Sequence, residues 1–354
     1  MKILDRYIGI AVLGSTLVVL SVLLALFAFI TFVGELDDVG RGNYGLLEVT
    51  EYVLLRLPRY TYQFFPVAAL LGSLIGLGLL ASNSELVVMR ASGISIKQVV
   101  LSVMKAGFLL MIMVIVLGEF VAIKSEQYAV EMRSEAISKK ISLKTQSGFW
   151  TRDGKNFINI ETINPDGALT GVNIYQFNER HQLQVVTNAG SATYENGHWE
   201  LEKIVRSEFV NQRVETTELP TTTWDSLLSP SLLDLVVIKP ERLSWWELYR
   251  YSRFLENNEL DSSRYSMKLW EKTILPFSTG VMVFLAIPFV FGPLRSVGIG
   301  QRILVGSLVG ITFYMLNKMA NYSGLVYELH PVISAVSPTL IFFAFSIYMM
   351  RRIF

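Results

Sequence analysis

Cysteine is absent from the 354 residues. That excludes disulfides, thiolate metal sites and cysteine nucleophiles together, although much of the chain is expected to face an oxidising compartment. Histidine is scarce: His181, His198 and His330 stand far apart and share no helical ligand spacing, so turn or loop positions outweigh a metal site. No glycine-rich stretch leads into Lys-Ser or Lys-Thr, which removes the phosphate-cradling loop used for ATP hydrolysis. Charge is sparse as well. Only 17% of residues are Asp, Glu, Lys or Arg, the net charge is +1, and the basic residues are spread along the chain, unlike the clustered footprint of a nucleic-acid binder. The sequence therefore predicts no catalytic residue, no metal, no cofactor and no nucleic-acid partner.

What is present is apolar. Hydrophobic residues make up 51% of the chain and the mean hydropathy is +0.42, more than a water-bathed core requires. No charge falls between Arg6 and Glu35, a run long enough at about 1.5 Å per helical residue to cross a hydrocarbon core of about 30 Å. It continues through Phe27, Phe29, Ile30, Phe32 and Val33, unlike a short, cleaved signal peptide. Further uncharged runs lie between Arg59 and Glu85, between Lys272 and Arg295, and from about Pro331 to Met350. A third span, about Val99 to Ile123, carries Lys105 and Glu119 near its ends, where long side chains reach the headgroups. The fifth, about Ile303 to Met319, is the shortest and ends at Lys318. Six spans result.

Basic residues on the short loops set the orientation. One alternation of loops holds Lys2, Arg6, Arg90, Lys97, Arg295, Arg302, Arg351 and Arg352; the other holds Arg41, Arg56, Arg59 and Lys318. This places both termini in the cytoplasm and the segment 124–272 outside. The expected organisation is residues 1–123 with spans one to three, an extracytoplasmic domain over 124–272, and residues 273–354 with spans four to six. Within the domain, strand-like alternation such as Asn156-Phe157-Ile158-Asn159-Ile160 and Val172-Asn173-Ile174-Tyr175-Gln176-Phe177 recurs between turn signals. Asp153-Gly154, Asp166-Gly167 and Asn196-Gly197 suit tight hairpins. Short strands at this spacing predict an antiparallel sandwich or jelly roll. Flanking helices are expected, one continuing the third span to about Ser138. The other opens at Ser244, where Ser244-Trp245-Trp246-Glu247 has capping-box spacing. The fold class is thus an α-helical membrane protein with an inserted all-β domain.

The loop between spans two and three, residues 84–93, reads as a short helix. Ser84 is placed to cap it, Glu85 sits at its positive end, and Gly93 supplies a left-handed stop. About ten residues are marginal as an isolated helix, so Leu86, Met89 and Arg90 on one face need support from the membrane, the protein itself or a partner's groove. A surface turn and a docking helix for a motor are comparable readings of these residues. Gly72-x-x-x-Gly76 and Gly306-x-x-x-Gly310 point to close helix packing within the chain. Phe27, Phe29, Phe32, Tyr62, Phe64 and Phe65 crowd spans one and two, where lipid-facing and interface roles outweigh substrate contact.

The run Phe64-Phe65-Pro66-Val67-Ala68-Ala69-Leu70-Leu71-Gly72, the loop Ser84 to Gly93, Phe291-Gly292-Pro293-Leu294-Arg295-Ser296 and the opening Leu4-Asp5-Arg6-Tyr7-Ile8 resemble the LptF/LptG family of lipopolysaccharide export permeases, on its LptG side. The resemblance runs the length of the chain, including a periplasmic jelly roll. It implies a non-catalytic permease half of an inner-membrane ABC transporter. Such a half pairs with LptF, stands on two LptB ATPases and takes one LptC helix beside span one. Lipopolysaccharide would enter a cavity from the outer leaflet and pass to a periplasmic bridge toward the outer membrane. Glu85, Leu86, Met89 and Arg90 would couple to the ATPase. Phe27, Phe64, Phe65, Phe313 and Tyr314 would meet acyl chains, and Arg133 a lipid A phosphate. Where the family carries basic groups at the outer end of span one, this chain has Thr31, Glu35, Asp37 and Asp38, which divalent ions or basic groups of LptF would have to answer. A secondary transporter is the rival reading; Pro276 and Pro288 interrupt span four, but no buried charge is expected beside them. An envelope scaffold or sensor would need an output module, for which the cytoplasmic loops are too short.

Overall fold

The computed structural model describes residues 3–137, 143–153, 156–164, 167–178, 182–195, 198–210, 213–224, 240–292 and 297–353. Lys2, Gly154, Asp166, His181, the Asn196-Gly197 pair, Ser138 and the Pro293-Leu294-Arg295-Ser296 stretch lie outside the described residues. The chain divides into two compact units, Met1–Ile137 with Ser263–Phe354, and Ser138–Ser262.

The first unit is a helical bundle. Its elements are α1 (Ile3–Glu35), α2 (Leu46–Ser82), α3 (Glu85–Ala91), α4 (Ile96–Val116), a π-helical turn (Leu117–Ala122) and α5 (Ile123–Ile137). After the inserted unit come α7 (Ser263–Phe291), α8 (Ile299–Val326) and α9 (Pro331–Ile353), with α6 described below. Among the described residues six helices are long and apolar enough to cross a membrane, α4, the π turn and α5 forming one of them. On α1 the buried positions Asp5, Ile8, Val12, Thr16 and Leu20 recur every three or four residues, while Leu17, Val18, Val22 and Phe29 face outward. One stripe packs and the remainder is left for lipid. Helix α2 is the central element: Ala68, Ala69, Leu70, Leu74 and Leu77 join the core with Val103 of α4 and Met282, Leu285 and Ile287 of α7.

Small residues set the helix spacing. A Cβ on Gly72 would overlap the backbone of Thr16, and one on Gly76 would lie 2.6 Å from the Ala11 carbonyl. Both glycines therefore serve the crossing of α1 over α2. Gly306 and Gly310 of α8 meet Leu71, Leu74 and Val67 of α2 in the same manner. The fifth span is longer than its apolar run suggests. Its polar end stays helical because Asn321 bonds Asn317 at 3.0 Å and Gly324 packs against Ser334 and Met267.

Pro276 and Pro288 do not break α7, which runs unbroken through both. The expectation that no buried charge accompanies them is corrected: Lys272, one turn before Pro276, is only 8% exposed and its Nζ lies 3.3 Å from the Glu119 carboxylate. Glu119 sits in the π turn, whose extra residue re-aims the side chains around it. A charge in an apolar bundle is tolerable when paired, which periodicity alone does not reveal.

The second unit is an antiparallel β domain inserted between the third and fourth spans, as the alternation predicts. Strands β1 (Leu143–Asp153), β2 (Asn156–Ile163), β3 (Leu169–Phe177), β4 (Leu183–Glu195), β5 (His198–Val210) and β6 (Arg213–Trp224) pair in chain order in one described sheet. The register aligns Ile158 with Ile174, Ile160 and Ala189 with Val172, and Ala189 with Ile204. One face thus becomes a continuous apolar stripe, closed by Leu201, Trp224 and the fully buried Trp199. Asp153 pairs with Asn156 and Glu195 with His198, so two-residue connections join those strands. Gly167 adopts φ +82°, the left-handed conformation expected of it. Helix α6 (Trp245–Asn257) opens with the predicted box: Glu247 N–H donates to Ser244 Oγ at 3.2 Å, and Ser244 N–H to Glu247 Oε2 at 2.6 Å.

Candidate functional sites at the two ends of the bundle

At the end of the bundle where α1 begins, α3 follows α2 almost without a break. Its stop is as expected: with Gly93 at φ +87°, Gly93 N–H donates to Arg90 O and Ile94 N–H to Met89 O, both at 3.1 Å. Those two bonds form a Schellman motif. Its start is a correction. Ser84 has φ +60° and its hydroxyl makes no capping bond, because the chain turns sharply from α2 into α3 through that residue. The Ser84 carbonyl instead accepts from Val87 and Val88 at 3.0 Å. A side-chain cap does open α4, where Gln98 N–H donates to Ser95 Oγ.

The four candidate coupling residues separate by face. Leu86 is 5% exposed and joins the bundle core, and Met89 packs against that core. Glu85 accepts a 2.6 Å bond from the Tyr7 hydroxyl of α1 and Arg90 is exposed. Val87 and Val88 are exposed too. Support for α3 thus comes from the chain itself, leaving a short face free. Nearby, buried Asp5 takes Lys105 Nζ at 2.6 Å and Ser102 Oγ at 2.5 Å. Arg302, counted above as a loop charge, is corrected: it lies in the first turn of α8 and is 1% exposed. Its Nη1 donates to Gly78 O at 2.6 Å and to Ser82 Oγ at 2.9 Å.

Of the five candidate acyl-chain residues, three come together. Phe27 stacks on Phe64 with ring centroids 4.1 Å apart, and Phe64 meets Tyr314 at 5.8 Å. Tyr60 extends this wall from the Phe27 side, and Gln63 Nε2 donates to the Tyr314 hydroxyl at 2.9 Å. Phe65 and Phe313 point elsewhere, at 1% and 3% exposure in the core, the latter edge-on to Phe342.

The opposite end carries an ionic collar. Arg133 of α5 pairs with Glu35 at 2.7 Å and with Asp38, and lies over the rings of Tyr44 and Tyr52. Arg41 adds a 2.5 Å pair to Asp38. The acids at the C-terminal end of α1 are therefore answered largely from within the chain. Tyr44 donates to Glu35 at 3.1 Å; burial, with that carboxylate adding to it, pushes its phenol up from the ordinary value. Deeper in, buried Glu126 accepts from Arg59 at 2.7 Å, while Arg56 Nε lies 3.4 Å from its other oxygen. Tyr7, Asp5, Tyr60, Gln63 and Glu126 escape sequence reasoning because their partners are 29 to 251 residues away.

Six membrane-length helices around one core and an inserted antiparallel β domain, among the described residues, define a polytopic membrane protein. The family model of the lipopolysaccharide export system permease LptF/LptG matches residues 6–352. The lipopolysaccharide export system permease protein LptG of Escherichia coli (strain K12) is 39% identical over 353 residues, covering 99% of this chain and 98% of the relative. The Haemophilus influenzae protein of the same name is 36% identical over 351 residues, with 99% and 98% covered. The chain belongs to the LptF/LptG family of lipopolysaccharide export system permeases.

Proposed function

We propose that this chain is the LptG-type permease subunit of an ATP-driven inner-membrane transporter that extracts lipopolysaccharide and delivers it to a periplasmic bridge. The observation that carries this is the family match, which spans both units and both bundle ends. In this reading an LptF permease completes the cavity, two LptB subunits hydrolyse ATP beneath α3, and LptC contributes a helix beside α1. Membrane lipids surround the rest. Both termini are cytoplasmic and the β unit is periplasmic, on the loop-charge count. The chain itself makes and breaks no bond. Lipopolysaccharide presents several acyl chains below phosphates, which suits the Phe27, Phe64 and Tyr314 wall with Arg133 of the collar as phosphate partner.

Coupling is assigned to α3. Its inner face is fixed by Leu86 and its outer face offers Val87, Val88 and Arg90, a rigid, partly apolar knob for a motor's groove. Glu85→Lys reverses a charge at the helix start, costing about 1 kcal/mol locally, and leaves Tyr7 without its acceptor. The complex purified with this variant is expected to lose the ATPase subunits or ATP-driven export. A normal complex with normal export would remove α3 from the coupling role.

A further inference from the structure

Arg302 is the most deeply buried cation described in the bundle, and its position is built from both sides. On α2, Gly78 has no side chain where a Cβ would fall 2.6 Å from Arg302 Nη1 and 2.7 Å from its Cδ. The space a side chain would fill is occupied by the guanidinium. Its Nη1 then bonds the Gly78 carbonyl and the Ser82 hydroxyl, both in the last turns of α2. Carbonyls near a helix C-terminus carry the negative end of the helix dipole, so a cation there is held by charge as well as by hydrogen bonds. Ser82 ends α2, and α3 begins at Glu85.

Toward the opposite end, α8 stays in register with α2. Gly306 receives Leu71 and Leu74, Gly310 receives Val67, and Tyr314 takes the bond from Gln63 and packs on Phe64. Contacts thus recur on α8 at residues 302, 306, 310 and 314, one turn apart along a single face. Gly306 and Gly310 make steric contacts, and Tyr314 adds an aromatic contact with one hydrogen bond. Arg302 alone fastens that ladder at the α3 end, with two strong directed bonds.

We propose that Arg302 is a positioning residue which clamps α2 and α8 into one rigid pair, so that a displacement of α3 reaches Tyr314 and the aromatic wall without loss. This rests on α3 being the coupling segment. A purely structural arginine would affect how much protein accumulates; a clamp also governs how much of the motion is transmitted. Packed elements pass displacement on only where they have no freedom to slip.

The absence of native cysteine makes the test direct. Leu79→Cys on α2 and Ile311→Cys on α8, both exposed, accept spin labels in the assembled transporter, its other subunits made cysteine-free. With Arg302 present, the interlabel distance is expected to be narrow and unchanged between nucleotide-free and vanadate-trapped states. Arg302→Met should broaden it and lower lipopolysaccharide release per ATP hydrolysed by about 5-fold or more. Should Arg302→Met fail to accumulate, Ser82→Ala removes one acceptor from an exposed residue and is expected to broaden the distribution to a lesser degree. A wild-type distance that shifts with nucleotide, or the wild-type width and release ratio in every variant that accumulates, would overturn the clamp. The label distance needs no transport, so it judges the clamp even if Glu85→Lys were to show that α3 is not the coupling segment.

Discussion

Arg133 shows how far a residue's role depends on partners that sequence spacing does not reveal. It was legible as a basic group on the helix that extends the third span, but not as one already engaged by Glu35 and Asp38. Those acids are about one hundred residues away in sequence, and the loop between α1 and α2 places them by packing Tyr44 against Val49, Val53 and Ala136. Any lipid phosphate must compete with two carboxylates for the guanidinium. Charge-assisted bonds of this kind are individually strong, so the competition decides affinity. Arg133→Glu is expected to weaken lipopolysaccharide capture and leave assembly at the far end intact. Glu35→Gln combined with Asp38→Asn should act oppositely, since Arg133 and Arg41 then keep their charge unopposed. Adducts from a photoreactive side chain at Ser134 in lipopolysaccharide-producing membranes check both; adduct yields that fall with the neutralising pair would place the phosphate elsewhere.

Elements were more legible than residues. Long runs with little or no charge identified six spans because hydrocarbon accepts little else, and alternation with Asn-Gly and Asp-Gly signals identified the strands. What remained hidden was geometry at the joints. Ser84 has the composition of a cap and the backbone of a left-handed turn, and only the path from α2 into α3 decides between them. A left-handed residue other than glycine costs about 1 kcal/mol, so Ser84→Gly should raise the thermal midpoint of the purified protein while Ser95→Ala, which loses a real cap, lowers it. A midpoint lowered by both substitutions would show Ser84 to be a cap as well. The glycines allow a sharper comparison. Gly72→Ala pushes a methyl into the Thr16 backbone and should cost about 1–3 kcal/mol, whereas Gly14→Ala, with nothing within 4 Å, should be neutral or favourable. Matching midpoints for these two would mean that α1 does not cross α2 as described.

At the scale of the whole molecule, the chain joins two unlike units, a helical bundle and an inserted antiparallel β domain. Its proposed contribution is a wall, a collar and a docking knob, each useful only in an assembly. Single cysteines read the arrangement in intact cells: Val214→Cys on β6 should react with an impermeant maleimide from the periplasm, and Val88→Cys on α3 only after the cells are opened. Reversed labelling would invert the topology. The central claim, that this chain is the permease through which ATP hydrolysis extracts lipopolysaccharide, is tested most directly by reconstitution in proteoliposomes loaded with lipopolysaccharide. The account predicts that the complex containing this chain releases lipopolysaccharide to a soluble periplasmic acceptor only with hydrolysable ATP, and that Glu85→Lys abolishes release. ATP-dependent release of equal size from a complex lacking this chain would contradict it.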